Sequence, residues 1–163
     1  MTRPVTGLLV VVLLLAGCQT AAPVPVDFTP VLARFFLESS EPEAAAVVLP
    51  LSGVRIAIGA KPVLTEGDIV KVELMQVDLG KCLMFQVTPA AARDLYRLSA
   101  SNQGRRMILL LNGVAFGARR IDGPMVEGAV FVFVEVADSA LPELVENLRK
   151  TVAKLQRELA RKS

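Results

Sequence analysis

TPAAARDLYRLSASNQGRRMILLLNGVAFGARRI, residues 88–121, reads as one helix followed by one hairpin. Thr88 suits an N-cap, because its hydroxyl accepts from a first-turn N–H that has no helical partner, and Pro89 at the next position has no N–H to leave unpaired. Leu95 and Leu98 are the larger apolar anchors of the helix, while Arg93, Asp94, Arg97 and Ser99 are expected to face water. Asn102 to Gly104 closes it. Asn112-Gly113 tolerates the positive φ of a type I′ turn, so Met107–Leu111 is expected to pair back on Val114–Ala118. Counting from a two-residue turn places Arg106 opposite Arg119 and Arg105 opposite Arg120, a cluster of four guanidiniums at one end of the hairpin.

Working outward, the 163 residues leave room for one domain once a targeting segment is set aside. A net charge of +2, with only seven Phe and one Tyr, argues against a nucleic-acid partner. The chain has no His, which removes Ser-His-Asp and Cys-His catalysis and most zinc and non-haem iron sites. Asp68, Asp78, Asp94 and Asp122 lack the spacing of a calcium loop. Neither a metal, a cofactor nor an enzymatic activity is expected.

Residues 1–17 combine Arg3 with an apolar run from Val5 to Leu15, too short to span a bilayer and suited to a signal peptide. The run ends in Leu15-Ala16-Gly17-Cys18, which resembles the lipobox of bacterial lipoproteins. The resemblance implies acylation of Cys18 and cleavage before it. Two or three acyl chains, at roughly 0.8 kcal/mol per buried CH₂, hold a protein on a membrane permanently. Gln19 in place of Asp favours the outer over the inner membrane under the enterobacterial sorting rule. Residues 18–30, with Ala21-Ala22-Pro23-Val24-Pro25-Val26, form a proline-rich tether.

In the remainder, 31–137 reads as one α+β domain. Val31 to Glu38 fits a short helix or a first strand and is read as a strand, Glu38–Ala46 is a polar loop, and Val54–Ile58 a strand stopped by Gly59. Thr65–Asp68 reads as a turn or a single helical turn. Val70 to Val77 alternates with Val70, Val72 and Leu74 inward, and Cys82–Val87 returns after a turn at Leu79–Lys81. Ala129–Val136 is the clearest strand. Residues 138–163 form a long amphipathic helix capped by Asp138 or Ser139, with Leu141, Val145, Leu148, Val152, Leu155 and Leu159 on one stripe. Helices gathered on one face of a largely antiparallel sheet make an α+β sandwich. The far half of the last helix (Val152, Leu155, Leu159) is a candidate interface for a partner helix.

The run Lys61-Pro62-Val63-Leu64-Thr65-Glu66-Gly67-Asp68-Ile69 resembles the segment that opens the head of the first periplasmic domain of SecD, a protein-export subunit. The pattern continues through Phe85, Thr88-Pro89, Ala92, Asn102-x-Gly104-Arg105-Arg106, Leu111-Asn112-Gly113, Ile121 and Pro124, covering about residues 55–136. It implies a ferredoxin-like head domain of the kind that engages unfolded polypeptide in the periplasm. Ala118-Arg119-Arg120-Ile121 departs from the family's usual Ala-Pro-Val-Ile, and the subunit's charged intramembrane positions have no counterpart here.

Together these features predict a lipid-anchored, periplasm-facing lipoprotein acting as a non-catalytic binding or adaptor module for polypeptide or an envelope partner. The alternative is a structural envelope lipoprotein that self-associates through its last helix. Arg105, Arg106, Arg119 and Arg120 are candidate ligands for an anion or acidic partner, because guanidinium forks match phosphate and carboxylate oxygens. Cys82, within a strand, is expected to be a small apolar filler.

Overall fold

The computed structural model describes residues 28–162; the signal segment, Cys18 and most of the tether lie outside the described residues. Eight strands and two helices follow in order: β1 (Ala33–Glu38), β2 (Ala46–Val48), β3 (Arg55–Leu64), β4 (Ile69–Val77), β5 (Gly80–Val87), α1 (Pro89–Ser101), β6 (Arg106–Leu111), β7 (Val114–Arg120), β8 (Ala129–Val132) and α2 (Leu141–Ala160). Every strand pair is antiparallel. The strands divide between a five-stranded sheet, β2-β3-β1-β6-β7, and a three-stranded sheet, β4-β5-β8.

The helix and hairpin form as their local chemistry dictates. Thr88 Oγ1 accepts from Ala91 N at 3.3 Å, and Pro89 opens α1. Asn112 at φ 49° and Gly113 at φ 84° make the turn, with Leu111 opposite Val114. β6 is buried along Met107–Leu111 because both of its faces are covered. Met107, Leu109 and Leu111 enter the main core, whereas Ile108 and Leu110 join Ile56, Ile58, Leu49 and Ala115 in a smaller one behind the sheet. The five-stranded sheet curls around that second core, so that its edges β2 and β7 touch. Glu135 secures the closure: its carboxylate accepts from Leu51 N and Ser52 N, both at 2.8 Å, and from Ser52 Oγ at 2.6 Å.

The main core lies between the two sheets, where Phe35 of β1 meets Phe85 of β5 edge to face at 5.2 Å. Leu95 of α1 and Val145, Leu148 and Val152 of α2 complete it.

Several local expectations are corrected. Gly59 does not stop β3, which runs on through Pro62 to Leu64 with register shifts in its ladder to β1. A register shift between Ile69 and Lys71 turns Val70 outward and Ile69 inward. The turn after β4 is Asp78-Leu79, with Val77 opposite Gly80. Ser99 is buried, not solvated: its Oγ donates to Tyr96 O at 3.0 Å and accepts from Met125 N at 2.8 Å. β8 ends at Val132, because the chain beyond it crosses to the other sheet and bridges Gly117 through Val134. Ala140 is the α2 N-cap position and has no side-chain cap; Asp138 instead lies 3.0 Å from Lys81 Nζ.

Candidate functional site

The arginine cluster expected at the end of the hairpin does not assemble in that register. Leu110 pairs with Ala115 but Leu109 with Gly117, so Phe116 is an extra residue on β7. Such a bulge shifts every later pair by one and moves side chains to the opposite face. Arg106 therefore stands opposite Arg120, and Arg119 stands opposite Met107. Arg106 grips Glu38 through Nη2–Oε1 at 2.5 Å and Nε–Oε2 at 3.0 Å, and its backbone N–H donates to Oε2 at 2.9 Å. These contacts with the Arg106 guanidinium hold the Glu38 carboxyl below the usual range. Arg105 donates to Asn102 Oδ1 and to the Glu38 carbonyl. Arg120 is exposed, its Nε 3.8 Å from Asp122 Oδ1. Two of the four guanidiniums thus meet at Glu38, one lies at the surface, and one leaves the group.

The one that leaves is Arg119. Facing the three-stranded sheet with Met107, it reaches over β8 and donates from Nη1 to Phe131 O at 3.2 Å. Its Nε is buried and finds no hydrogen-bond partner among the described residues. Beneath it lies Cys82, which is 1% exposed. Burial pushes the Cys82 thiol up and the Arg119 charge draws it back only in part, so the sulfur is protonated at neutral pH.

Arg119 sits at the rim of an open apolar face. In the three-stranded sheet, Val72, Leu74, Leu83, Phe85, Val130 and Val132 point to the core, and the intervening positions point out. A sheet face turned to water ordinarily carries polar side chains. Here the outward positions are Met75 opposite Cys82, Met84 opposite Phe131, Val77 and Phe133, with the Lys71–Glu73 ion pair, Gln86 and Ala129 toward one end. Val77, Leu79 and Phe133 are 37%, 85% and 42% exposed. A cavity of about 360 Å³ opens among Val77, Leu79, Cys82, Arg119, Phe131 and Phe133. A second, of about 240 Å³, lies on the other side of Arg119 against Pro124 and Met125. The alternation that marks the inward set marks this face as well, but whether another element covers it is not written in the local sequence.

The last helix is largely committed. Leu141, Val145, Leu148 and Val152 are buried, and Val152 at 7% exposure belongs to the main core. This corrects its reading as an interface residue: α2 lies against β4 as far as Val152 and beyond. Leu155 is half-buried and Leu159 is 45% exposed. Arg149 Nε donates to Val72 O at 2.9 Å, and Gln156 Nε2 donates to Ile69 O at 2.8 Å. Carbonyls on the outer edge of β4 are thereby closed to another strand. Among the described residues, no group of three His, Cys, Asp or Glu is placed to hold a metal, and no helix is long and apolar enough to cross a membrane.

The fold and the face define an antiparallel α+β domain with an apolar sheet surface left partly exposed among the described residues, and its architecture resembles SecD periplasmic domains. A crystal structure of SecDF in a super-membrane-facing form matches at TM-score 0.59 and 17% identity, over 73% of this chain and 18% of that one. A structure of SecDF, described as a membrane component that enhances protein export, matches at TM-score 0.57 and 16% identity, over 74% and 62%. SecDF from Thermus thermophilus, described as a translocon-associated membrane protein, matches at TM-score 0.52 and 15% identity, over 76% and 20%. The chain therefore spans less than two thirds of each of these proteins. No protein-family model matches this chain, and no curated protein matches its sequence.

Proposed function

We propose that this chain is a lipid-anchored, periplasm-facing binding module whose open sheet face takes apolar segments of unfolded polypeptide, without catalysis. The observation that carries the reading is the outward row Met75, Val77, Met84, Phe131 and Phe133, apolar where a solvated sheet face would be polar. Contiguous exposed apolar surface of this kind marks interaction sites. Two methionines in the row favour varied ligands, because an unbranched thioether side chain repacks around different shapes. Likeness in fold to a component described as enhancing protein export supports a polypeptide as the ligand. The Leu15–Cys18 lipobox supports the anchor at Cys18, and Gln19 supports the outer membrane as its site. The lack of His in the chain supports a role that is not enzymatic.

The reading is tested by fluorescence anisotropy of a labelled, permanently unfolded polypeptide titrated with the mature protein. Phe133→Lys and Leu79→Glu lie on the exposed face and are expected to abolish binding while the melting temperature stays within a few degrees. Unchanged binding by both variants refutes this face as the site. Independently, Cys18→Ala is expected to move the protein from the detergent phase to the aqueous phase.

A further inference from the structure

The chain enters the domain beside α2. Val31 N donates to Thr151 Oγ1 at 2.9 Å, a contact between positions 120 residues apart, and Thr151 in turn donates to Asn147 O at 2.7 Å. Any segment that precedes residue 31 therefore reaches the domain at the middle of this helix. The twelve residues between Cys18 and Val31 can span at most about 45 Å, so α2 lies within reach of whatever surface holds Cys18.

The outer face of α2 is charged in a way that suits one such surface. Residues 149–162 contain six Lys and Arg and one Glu, in a chain whose net charge is only +2. Lys150, Lys154, Arg157 and Arg161 recur at spacings of four, three and four, which at 3.6 residues per turn aligns them in one stripe. All four are exposed, and the stripe is opposite the one that buries Leu148 and Val152. Lys150 has Glu146 at 3.5 Å and Lys154 has Glu158 at 4.0 Å, exposed pairs that leave the cations free to exchange partners.

We infer that this stripe seats the domain on a bilayer by binding anionic phospholipid headgroups of the phosphatidylglycerol type. The inference rests on the lipid-anchored reading of Cys18: the anchor supplies the hold, and the stripe supplies orientation. A membrane of that charge attracts each nearby Lys or Arg by about fivefold in binding, and the attraction falls away within a Debye length. Because α2 lies along the edge strand β4 with Val145, Leu148 and Val152 turned into the core, its charged stripe does not share a face with the row Met75, Met84, Phe131 and Phe133. Seating the stripe on the membrane holds that row off the lipid. The apolar face is thereby kept off the bilayer it would otherwise enter and is presented to polypeptide in the aqueous space.

The test uses the mature lipidated protein in vesicles of phosphatidylcholine alone or with phosphatidylglycerol, with acylation of surface lysines read by mass spectrometry. Lys150 and Lys154 are expected to label several-fold more slowly on the anionic vesicles, with Lys61 as the reference, and high salt is expected to restore their rate. The variant Arg157→Glu/Arg161→Glu is expected to lose the protection at Lys154 with its melting temperature unchanged. Equal labelling on both vesicle types overturns the inference and leaves the anchor standing. A protein without acyl mass at residue 18 overturns the anchor, and the inference with it.

Discussion

Gly117 of β7 and Phe133, just beyond β8, meet backbone to backbone: a Cβ at 117 would lie 2.2 Å from the Phe133 carbonyl oxygen. The adjoining bridge between Gly117 and Val134, with the bond from Glu135 N to Phe116 O, joins the two sheets at this point. Gly117→Ala is therefore expected to force the strands apart. Ordinary overpacking costs about 1–3 kcal/mol, and a clash with backbone belongs at or above the top of that range. Urea unfolding followed by circular dichroism measures it. A loss below about 1 kcal/mol would mean that the crossing relaxes at little cost.

Three carboxylates make the fold sensitive to acid. Glu38 is held low by Arg106 and Glu66 by Arg34. At Glu135 partial burial pushes upward, but the Ser52 hydroxyl and the Ser52 and Leu51 N–H groups outweigh it, so that carboxyl too is lowered. A carboxyl whose folded value is depressed contributes stability that is complete above its ordinary value of 4.5 and is lost as pH falls through the folded value. Glu38→Gln is expected to lower stability near neutral pH and to differ progressively less from the parent below that value. Urea midpoints measured across the acid range check the convergence.

Ser99 accepts from the buried N–H of Met125 and so ties α1 to the segment before β8. Ser99→Ala leaves that donor without its partner, a loss of about 1–3 kcal/mol. Ser99→Thr adds a methyl group but retains the hydroxyl, and is expected to recover part of the loss if the hydrogen bond, not the volume, is responsible.

Cys82 is 1% exposed and lines a cavity beside Arg119, and its protonated state makes it slow toward electrophiles. In the native protein a thiol reagent is expected to label it only at the rate of unfolding. Arg119→Ala opens the cover and is expected to speed labelling under native conditions. An unchanged rate would show that Phe131 and Phe133 alone form the seal.

The helix and hairpin were readable because their signals are local: a threonine before a proline, and an Asn-Gly pair between two apolar runs. The bulge at Phe116 was not, since it follows from how β7 meets β8 rather than from any turn residue nearby. With it went the expected facing of Arg106 and Arg119. Pro62 and Gly59 read as punctuation, yet β3 absorbs both by shifting its ladder to β1. Val152 fits a heptad as well as a core stripe, and only the position of α2 over β4 separates the two. The outward row on the three-stranded sheet was present in the alternation all along. Its meaning depended on the fold, which leaves Phe133 and Leu79 exposed among the described residues.

The entry of the chain at Val31 has a mechanical side. Residues 31–32 lead straight into β1, which is paired to β3 on one side and to β6 on the other. A pull on the N-terminal side runs along that strand and loads both ladders together, so the bonds share the force instead of opening one at a time. A load applied through Val31 thus falls on a strand braced on both sides.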